Sequence, residues 1–353
     1  MRKNPCHYLF LYSRLPGYFY RCVQYLLQNS PEGSKAWIVC YMPDPNAPYR
    51  FDEPDGSIQI TDRESLKGRD VESWQPDLIY MAGWGDKKYN HIAQTWNRRV
   101  PVIIGMDNPW KGTFKQRLAT IFASFYLKKR ASYLWIPGYP QYELARKIGF
   151  RTNHILFDLY CADVDKWKRP GPVSRKRILF AGRMVPYKRP DWLAEAFIKL
   201  IQLHPELSDW ELLMIGNGPL WDSLESKYGS LKQVMLKSFV QPVELIGYYH
   251  ESSIFCLPSF SEHWGVAVQE AAAAGLPLLL SDTCGAASAF LINGYNGFVF
   301  KSTDKDNFYQ RLYGMMSLEM EELQVMGSRS ESLARRITHD QWSGTLKSVL
   351  DGQ

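Results

Sequence analysis

The feature that most constrains this fold is an alternation that runs twice along the chain. Short apolar runs at residues 7–12, 36–41, 78–81 and 100–105 are separated by segments of helical spacing, such as 18–28 and 88–98. Apolar runs without strict alternation suit strands buried on both faces, and helices between them supply the covering layers. The expected product is a parallel sheet flanked by helices. The polar stretch 163–177, with Pro170-Gly171-Pro172 at its centre, then breaks the series and reads as a linker. A second series follows, with strands expected at 177–181, 210–215, 234–237, 254–258, 277–281 and 297–300. Helices are expected at 191–202 and 219–228. The fold class is therefore α/β, with two domains, 1–170 and 171–337, and a last helical segment at 338–353. A length of 353 residues agrees with two domains at roughly 100–200 residues each.

Composition removes several classes. A mean hydropathy of −0.31 and the absence of a run of about 18 apolar residues argue against a membrane-spanning chain. The opening residues are basic, but Arg14 interrupts the apolar stretch, so no signal peptide is expected. Cys6, Cys22, Cys40, Cys161, Cys256 and Cys284 form no CxxC pair and sit in apolar surroundings, as reduced thiols of a cytoplasmic protein do. The net charge of +6 is uneven: residues 1–170 hold 25 Lys/Arg against 16 Asp/Glu, and residues 171–353 hold 17 against 20. A basic first half points to an anionic partner of that half.

Three motifs of the second half carry chemistry. Gly182-Arg183-Met184-Val185-Pro186-Tyr187-Lys188 directly follows a strand. Ligands of open α/β sheets gather at such strand ends, and two fixed cations on one loop suit a diphosphate. Two solvated surface cations are the bland alternative. Ile215-Gly216-Asn217-Gly218-Pro219 is a second strand-to-helix turn, where glycines allow close approach of a ligand to backbone N–H groups. Most such turns are only turns. The third motif, Pro258 to Ala271, is the most informative. Glu262 falls in the loop after a strand, Gly265 opens the next helix, and Glu270 lies inside it. With Glu262 in the loop, both carboxylates can edge one cleft at the helix N-terminus. A carboxylate there accepts two vicinal hydroxyls, and the N–H groups at Gly265 and Val266 suit a phosphate. Glu270 is embedded in an Ala-rich apolar run, so it needs a partner.

In this order and spacing, GRMVPYKRP, LLMIGNGP, LPSFSEHWGVAVQEAAAAGLPLLLSD and NGYNGFVF resemble family 4 glycosyltransferases, with their E-x7-E signature. PDLIYMAGW and PVIIGMDNPWKGTFKQ in the first half resemble the family more loosely, in a bacterial subgroup that makes surface polysaccharides. The resemblance implies a GT-B fold, two Rossmann-like domains whose parallel sheets face across a cleft, with the last helix returning to the first domain. It implies retaining transfer from a nucleotide-diphosphate sugar, with UDP or GDP as the nucleotide and no cofactor or metal. By the same resemblance Arg183 and Lys188 hold the diphosphate, with Gly182 in their loop, and Glu262 faces the donor sugar. Glu270 binds the ribose, and Gly265 and Val266 offer backbone donors. Phe239 and Val240 border the nucleobase. Many relatives carry a first-domain histidine near the reacting centre, where this chain has Met106-Asp107-Asn108, so no catalytic histidine is assigned. The expected acceptor is a glycan or a lipid-linked glycan.

Residues 108–142 hold no acidic residue but six cations: Lys111, Lys115, Arg117, Lys128, Lys129 and Arg130. Leu118, Ile121, Phe122 and Phe125 recur between them at helical spacing. Segment 111–130 therefore reads either as a peripheral contact with the cytoplasmic face of an anionic membrane, or as a domain helix with its apolar face on the sheet and a solvated basic rim. A nucleic-acid partner is not expected, because it leaves the second-half motifs unexplained. Two further readings stay open: a non-catalytic partner subunit that binds nucleotide sugar or glycan, and an isomerase or hydrolase of nucleotide sugars on the same fold.

Overall fold

The computed structural model describes residues 4–42, 49, 56–173 and 175–352. They fall into two compact units: Met1–Cys161 with Ile337–Gln353, and Ala162–Arg336.

The first unit holds seven parallel strands: β1 (His7–Leu11), β2 (Lys35–Cys40), β3 (Ile58–Asp62), β4 (Leu78–Ala82), β5 (Val102–Gly105), β6 (Tyr133–Trp135) and β7 (Ile155–Leu156). Their order is β3-β2-β1-β4-β5-β6-β7. β1 lies centrally, with Leu9 in register with Trp37 of β2 and Ile79 of β4. Tyr8, Leu9, Phe10 and Leu11 are all buried, which is why this strand reads as a continuous apolar run. The helix His339–Asp351 brings the C-terminal segment into the same unit. Its Trp342 is fully buried, donates from Nε1 to the Leu159 carbonyl at 2.9 Å, and lies against the rings of Phe19 and Trp135.

The second unit holds six parallel strands: β8 (Arg177–Ala181), β9 (Glu211–Ile215), β10 (Val234–Lys237), β11 (Ile254–Leu257), β12 (Leu278–Ser281) and β13 (Gly297–Phe300). Their order, β10-β9-β8-β11-β12-β13, repeats that of the first six strands of the other sheet. β11 and β12 are wholly buried, with Phe255 in register with Leu278. In each unit, successive strands build outward in one direction and then in the other. The reversals lie between β1 and β4 and between β8 and β11.

Candidate functional site

Loops leaving two neighbouring strands at such a reversal run to opposite sides and leave a crevice at the carboxyl edge of the sheet. In the second unit those are the loops after β8 and β11, and they carry Arg183, Lys188 and Glu262.

The loop after β8 is held by the loop after β9. Gly182 N–H donates to the Ile215 carbonyl at 2.9 Å, and Met184 N–H to the Asn217 carbonyl at 2.9 Å. The two backbones approach so closely that side chains are excluded. A Cβ on Gly216 would lie 2.0 Å from the Gly182 carbonyl oxygen, and one on Gly218 would lie 2.5 Å from that of Met184. Both glycines also have positive φ, +142° and +153°. Their N–H groups are already used: Gly216 donates to the Lys237 carbonyl and Gly218 to Asn217 Oδ1. Gly216 and Gly218 were expected to admit a ligand to the backbone; here they admit the neighbouring loop and so position Arg183.

Arg183 is exposed, and its guanidinium donates to the Tyr187 hydroxyl. Lys188 closes a short 3-10 turn, Pro186–Lys188, and its ammonium donates to Glu262 Oε2 at 2.5 Å, with each side chain 14% exposed. The Phe260 N–H donates to the Tyr187 carbonyl at 2.7 Å, so the two loops are joined through the backbone as well. The Glu262 loop is fixed from its other side by the loop after β12. Gly285 N–H donates to the Glu262 carbonyl and Ala286 N–H to that of Trp264, both at 3.0 Å. A Cβ on Gly285 would lie 2.1 Å from the His263 carbonyl oxygen. Cys284 packs here too, and burial, followed by the Glu262 charge, pushes its thiol up to about 12, so it stays neutral.

Gly265, at φ +96°, caps the helix Val266–Ala273. A Cβ on Gly265 would lie 3.2 Å from Glu262 Cγ, so this helix, whose first-turn N–H groups have no intrahelical acceptor, begins beside Glu262. Glu270 is the fifth residue of this helix. Its Oε2 accepts from the Tyr249 hydroxyl at 3.3 Å, which is the partner that its apolar setting requires. Burial raises its pKa to about 7 against the pull of Tyr249. Tyr249 is fully buried on the helix Pro242–His250, directly after the loop with Phe239 and Val240. Gln269, next to Glu270, bridges the two ends of the unit: it accepts from Ala162 N–H at 2.8 Å and donates to the Ala334 carbonyl at 3.0 Å.

The structure thus brings Lys188 and Glu262 into contact, with Arg183 on the same loop and Gly265 against Glu262, while Glu270, further along the helix that Gly265 caps, pairs with Tyr249. Phe239 and Val240 stand in the loop after β10, which leads into the helix Pro242–His250 that carries Tyr249. Sequence reasoning missed Tyr187, Tyr249 and Gln269. Tyr187 carried a signal, since it lies between the two cations. Gln269 also did, as a polar residue inside the Ala-rich run.

The reversal in the first unit holds a cleft of about 430 Å³, lined among others by Tyr12, Tyr80, Trp84, Asp107 and Tyr160. After β1, Tyr12 and Ser13 line it. The Tyr160 hydroxyl donates to Asp107 Oδ2 at 3.2 Å. Burial, with Asp107 as a lesser contributor, raises the Tyr12, Tyr80 and Tyr160 phenols well above the usual tyrosine range, so all three remain neutral.

The sequence showed no cysteine–histidine cluster of metal spacing, yet the fold brings Cys22, Cys161 and His339 within 4.8 Å of one another. Both thiols donate to backbone carbonyls, Cys22 to Cys161 and Cys161 to Ile337, as packed structural thiols do. No helix of the described residues is long and apolar enough to cross a membrane.

Known proteins resemble this chain in sequence and in fold. The family model described as "Glycosyl transferases group 1" matches residues 163–332. The chain is 28% identical over 144 residues to a D-inositol 3-phosphate glycosyltransferase of Kribbella flavida, covering 38% of this chain and 34% of that protein. It is 25% identical over 203 residues to an uncharacterized glycosyltransferase of Haemophilus influenzae, covering 56% of each. The matches to these two curated relatives thus span about a third and about half of their lengths. Among solved structures, Anabaena HepE in complex with UDP and glucose superposes with a TM-score of 0.75 at 14% identity, over 99% of this chain and 100% of that one. Sucrose-phosphate synthase from Thermosynechococcus elongatus gives 0.74 at 13% identity, over 99% of each chain. The two parallel sheets are those of the GT-B fold, and the second unit is similar to the group 1 glycosyl transferases.

Proposed function

We propose that this protein is a retaining glycosyltransferase that moves a sugar from a nucleotide-diphosphate sugar to a glycan or lipid-linked acceptor, in the assembly of a surface polysaccharide. One observation carries the donor reading: the Lys188–Glu262 contact at 2.5 Å, made at the strand-order reversal beside the cap of the helix Val266–Ala273. A lysine ammonium has three donors, and Glu262 takes one. The other two, the Arg183 guanidinium and the N–H groups at Gly265 and Val266 suit the oxygens of a diphosphate. Glu262, held by Lys188, is then set to face the sugar. Glu270 accepts from the ribose hydroxyls, with Phe239 and Val240 beside the base.

A glycosyl transition state resembles an oxocarbenium ion, and the leaving diphosphate gains negative charge. Arg183, Lys188 and the helix N-terminus oppose that gain where it develops. In the retaining step the bond from the anomeric carbon to the phosphate oxygen breaks. The acceptor oxygen bonds to that carbon on the same face, and its proton passes to the departing phosphate oxygen. The cleft at Tyr12, Asp107 and Tyr160 supplies phenol and carboxylate partners for acceptor hydroxyls. No metal is invoked, because the cations of the chain itself meet the diphosphate charge. UDP is the first nucleotide to test, since HepE was solved with it, and GDP is the second.

The test is a thermal-shift panel of UDP-, GDP-, ADP- and dTDP-sugars on the protein and on Arg183→Ala. A ligand that binds only the folded state raises the melting temperature by mass action. One nucleotide series should raise it in the protein and not in the variant. A shift of equal size in both removes Arg183 from the diphosphate site.

A further inference from the structure

Helices that cover a sheet turn their apolar stripe inward. The helix Phe114–Lys128 does the opposite. Phe114, Leu118, Ile121, Phe122 and Phe125 are 76%, 44%, 59%, 74% and 73% exposed, and the one buried residue of the helix is Leu127. At 100° per residue the five exposed side chains fall within a sector of about 100°. Of the two readings of segment 111–130, packing of this face on the sheet therefore fails. An apolar stripe this dense on a protein surface marks a contact with something else.

The surroundings of the stripe select the partner. Lys115, Arg117, Lys128 and Lys129 lie on or next to this helix, all are exposed, and none has an acidic partner among the described residues. No Asp or Glu occurs from residue 108 to 142. An apolar stripe rimmed by one sign of charge complements a surface that is apolar below and anionic above. A bilayer with anionic headgroups has that profile. The stripe is also tied to the cleft of its own unit. β5 ends at Gly105, Met106, Asp107 and Asn108 line the cleft, and the helix begins at Phe114. Six residues of chain span at most roughly 20 Å.

We infer that the helix Phe114–Lys128 docks flat on an anionic bilayer, and that it thereby holds the Asp107 cleft beside the membrane surface. An acceptor with its polar head in that cleft and its apolar tail in the bilayer fits the arrangement. This selects the lipid-linked alternative for the acceptor and rests to that extent on the proposed function. The docking itself does not, because it is read without donor or acceptor.

The experiment is flotation of the purified protein with vesicles of phosphatidylcholine alone, and of equal parts phosphatidylcholine and phosphatidylglycerol. The protein should float with the mixed vesicles and far less with the neutral ones. Lys115→Gln, Arg117→Gln, Lys128→Gln and Lys129→Gln together should remove that preference, at about fivefold in partitioning per cation. Phe122→Ser with Phe125→Ser should weaken binding to both vesicle types while the charge stays intact. All these side chains are exposed, so unchanged circular dichroism should confirm that both variants fold. Equal flotation with both vesicle types, or retention of binding by both variants, overturns the inference. So does self-association of the protein that the double serine variant abolishes, without flotation, since the stripe would then cover a second copy.

Discussion

The two reversal points of this molecule share one topology and differ in chemistry. Between β8 and β11 the crevice is charged: Lys188 and Glu262 touch, Arg183 stands exposed beside them, and a helix N-terminus ends there. Between β1 and β4 the cleft is lined with Tyr12, Tyr80, Trp84 and Tyr160 around one carboxylate, Asp107. The strand order of each sheet settles where a ligand can lie, and the loops settle which ligand. A charged crevice suits a diphosphate leaving group. A crevice of neutral phenols with a single acid suits the uncharged hydroxyls of a sugar.

The sharpest way to break this comparison is Lys188→Ala. It removes a cation from the proposed leaving group and leaves Glu262 without its partner. Loss of one preorganised group of this kind costs about 10²–10³-fold in kcat, with acceptor KM unchanged. A fall confined to acceptor KM would place Lys188 on the wrong side of the reaction. Asp107→Asn should act in the opposite sense and more weakly. It exchanges a charge-assisted hydrogen bond for a neutral one, worth about tenfold in acceptor KM, with donor affinity intact. Initial-rate kinetics with donor and acceptor varied in turn read both variants. A change in donor affinity in Asp107→Asn would merge the two sites that the comparison separates.

How much of this was legible in the sequence depends on whether a feature is local. β8, β11 and β12 were legible because each is an apolar run ending in a loop with glycine, serine or charge. β6 and β7 were not, since three and two residues are too few to show a pattern. β3 escaped because its edge position leaves Gln59 and Ile60 exposed. In the site, Arg183, Lys188 and Glu262 could be read from their loops. The role of Gly216 and Gly218 could not, because it comes from the approach of a second loop more than thirty residues away. Tyr249 was hidden for the same reason: nothing local marks it as the partner of Glu270. The helix Phe114–Lys128 shows a different limit. Periodicity reveals a stripe, but the period is the same whether the stripe faces a sheet or a solvent boundary.

The smallest expected effect sharpens the charged side of the comparison, because Glu270 is not charged at every pH. Its carboxyl is raised to about 7 by burial, and the Tyr249 hydroxyl holds it lower than burial alone would. The protonated form binds its proton more tightly in the folded state than in the unfolded chain. Stability therefore falls as pH rises from the ordinary glutamate range toward about 7, and levels off above it. Donor binding runs the other way, since ribose hydroxyls are better accepted by a carboxylate than by a carboxylic acid. Donor KM should fall as pH rises from about 6 to 8, with an inflection near 7. Tyr249→Phe removes the hydrogen bond that favours the charged form, so the inflection should move upward, by less than about one pH unit. Glu270→Gln should flatten the profile altogether. The readout is donor KM against pH for the three proteins. A downward move in Tyr249→Phe, or an unchanged inflection in Glu270→Gln, would assign the titration to another group and leave Glu270 as a packed residue without a ribose role.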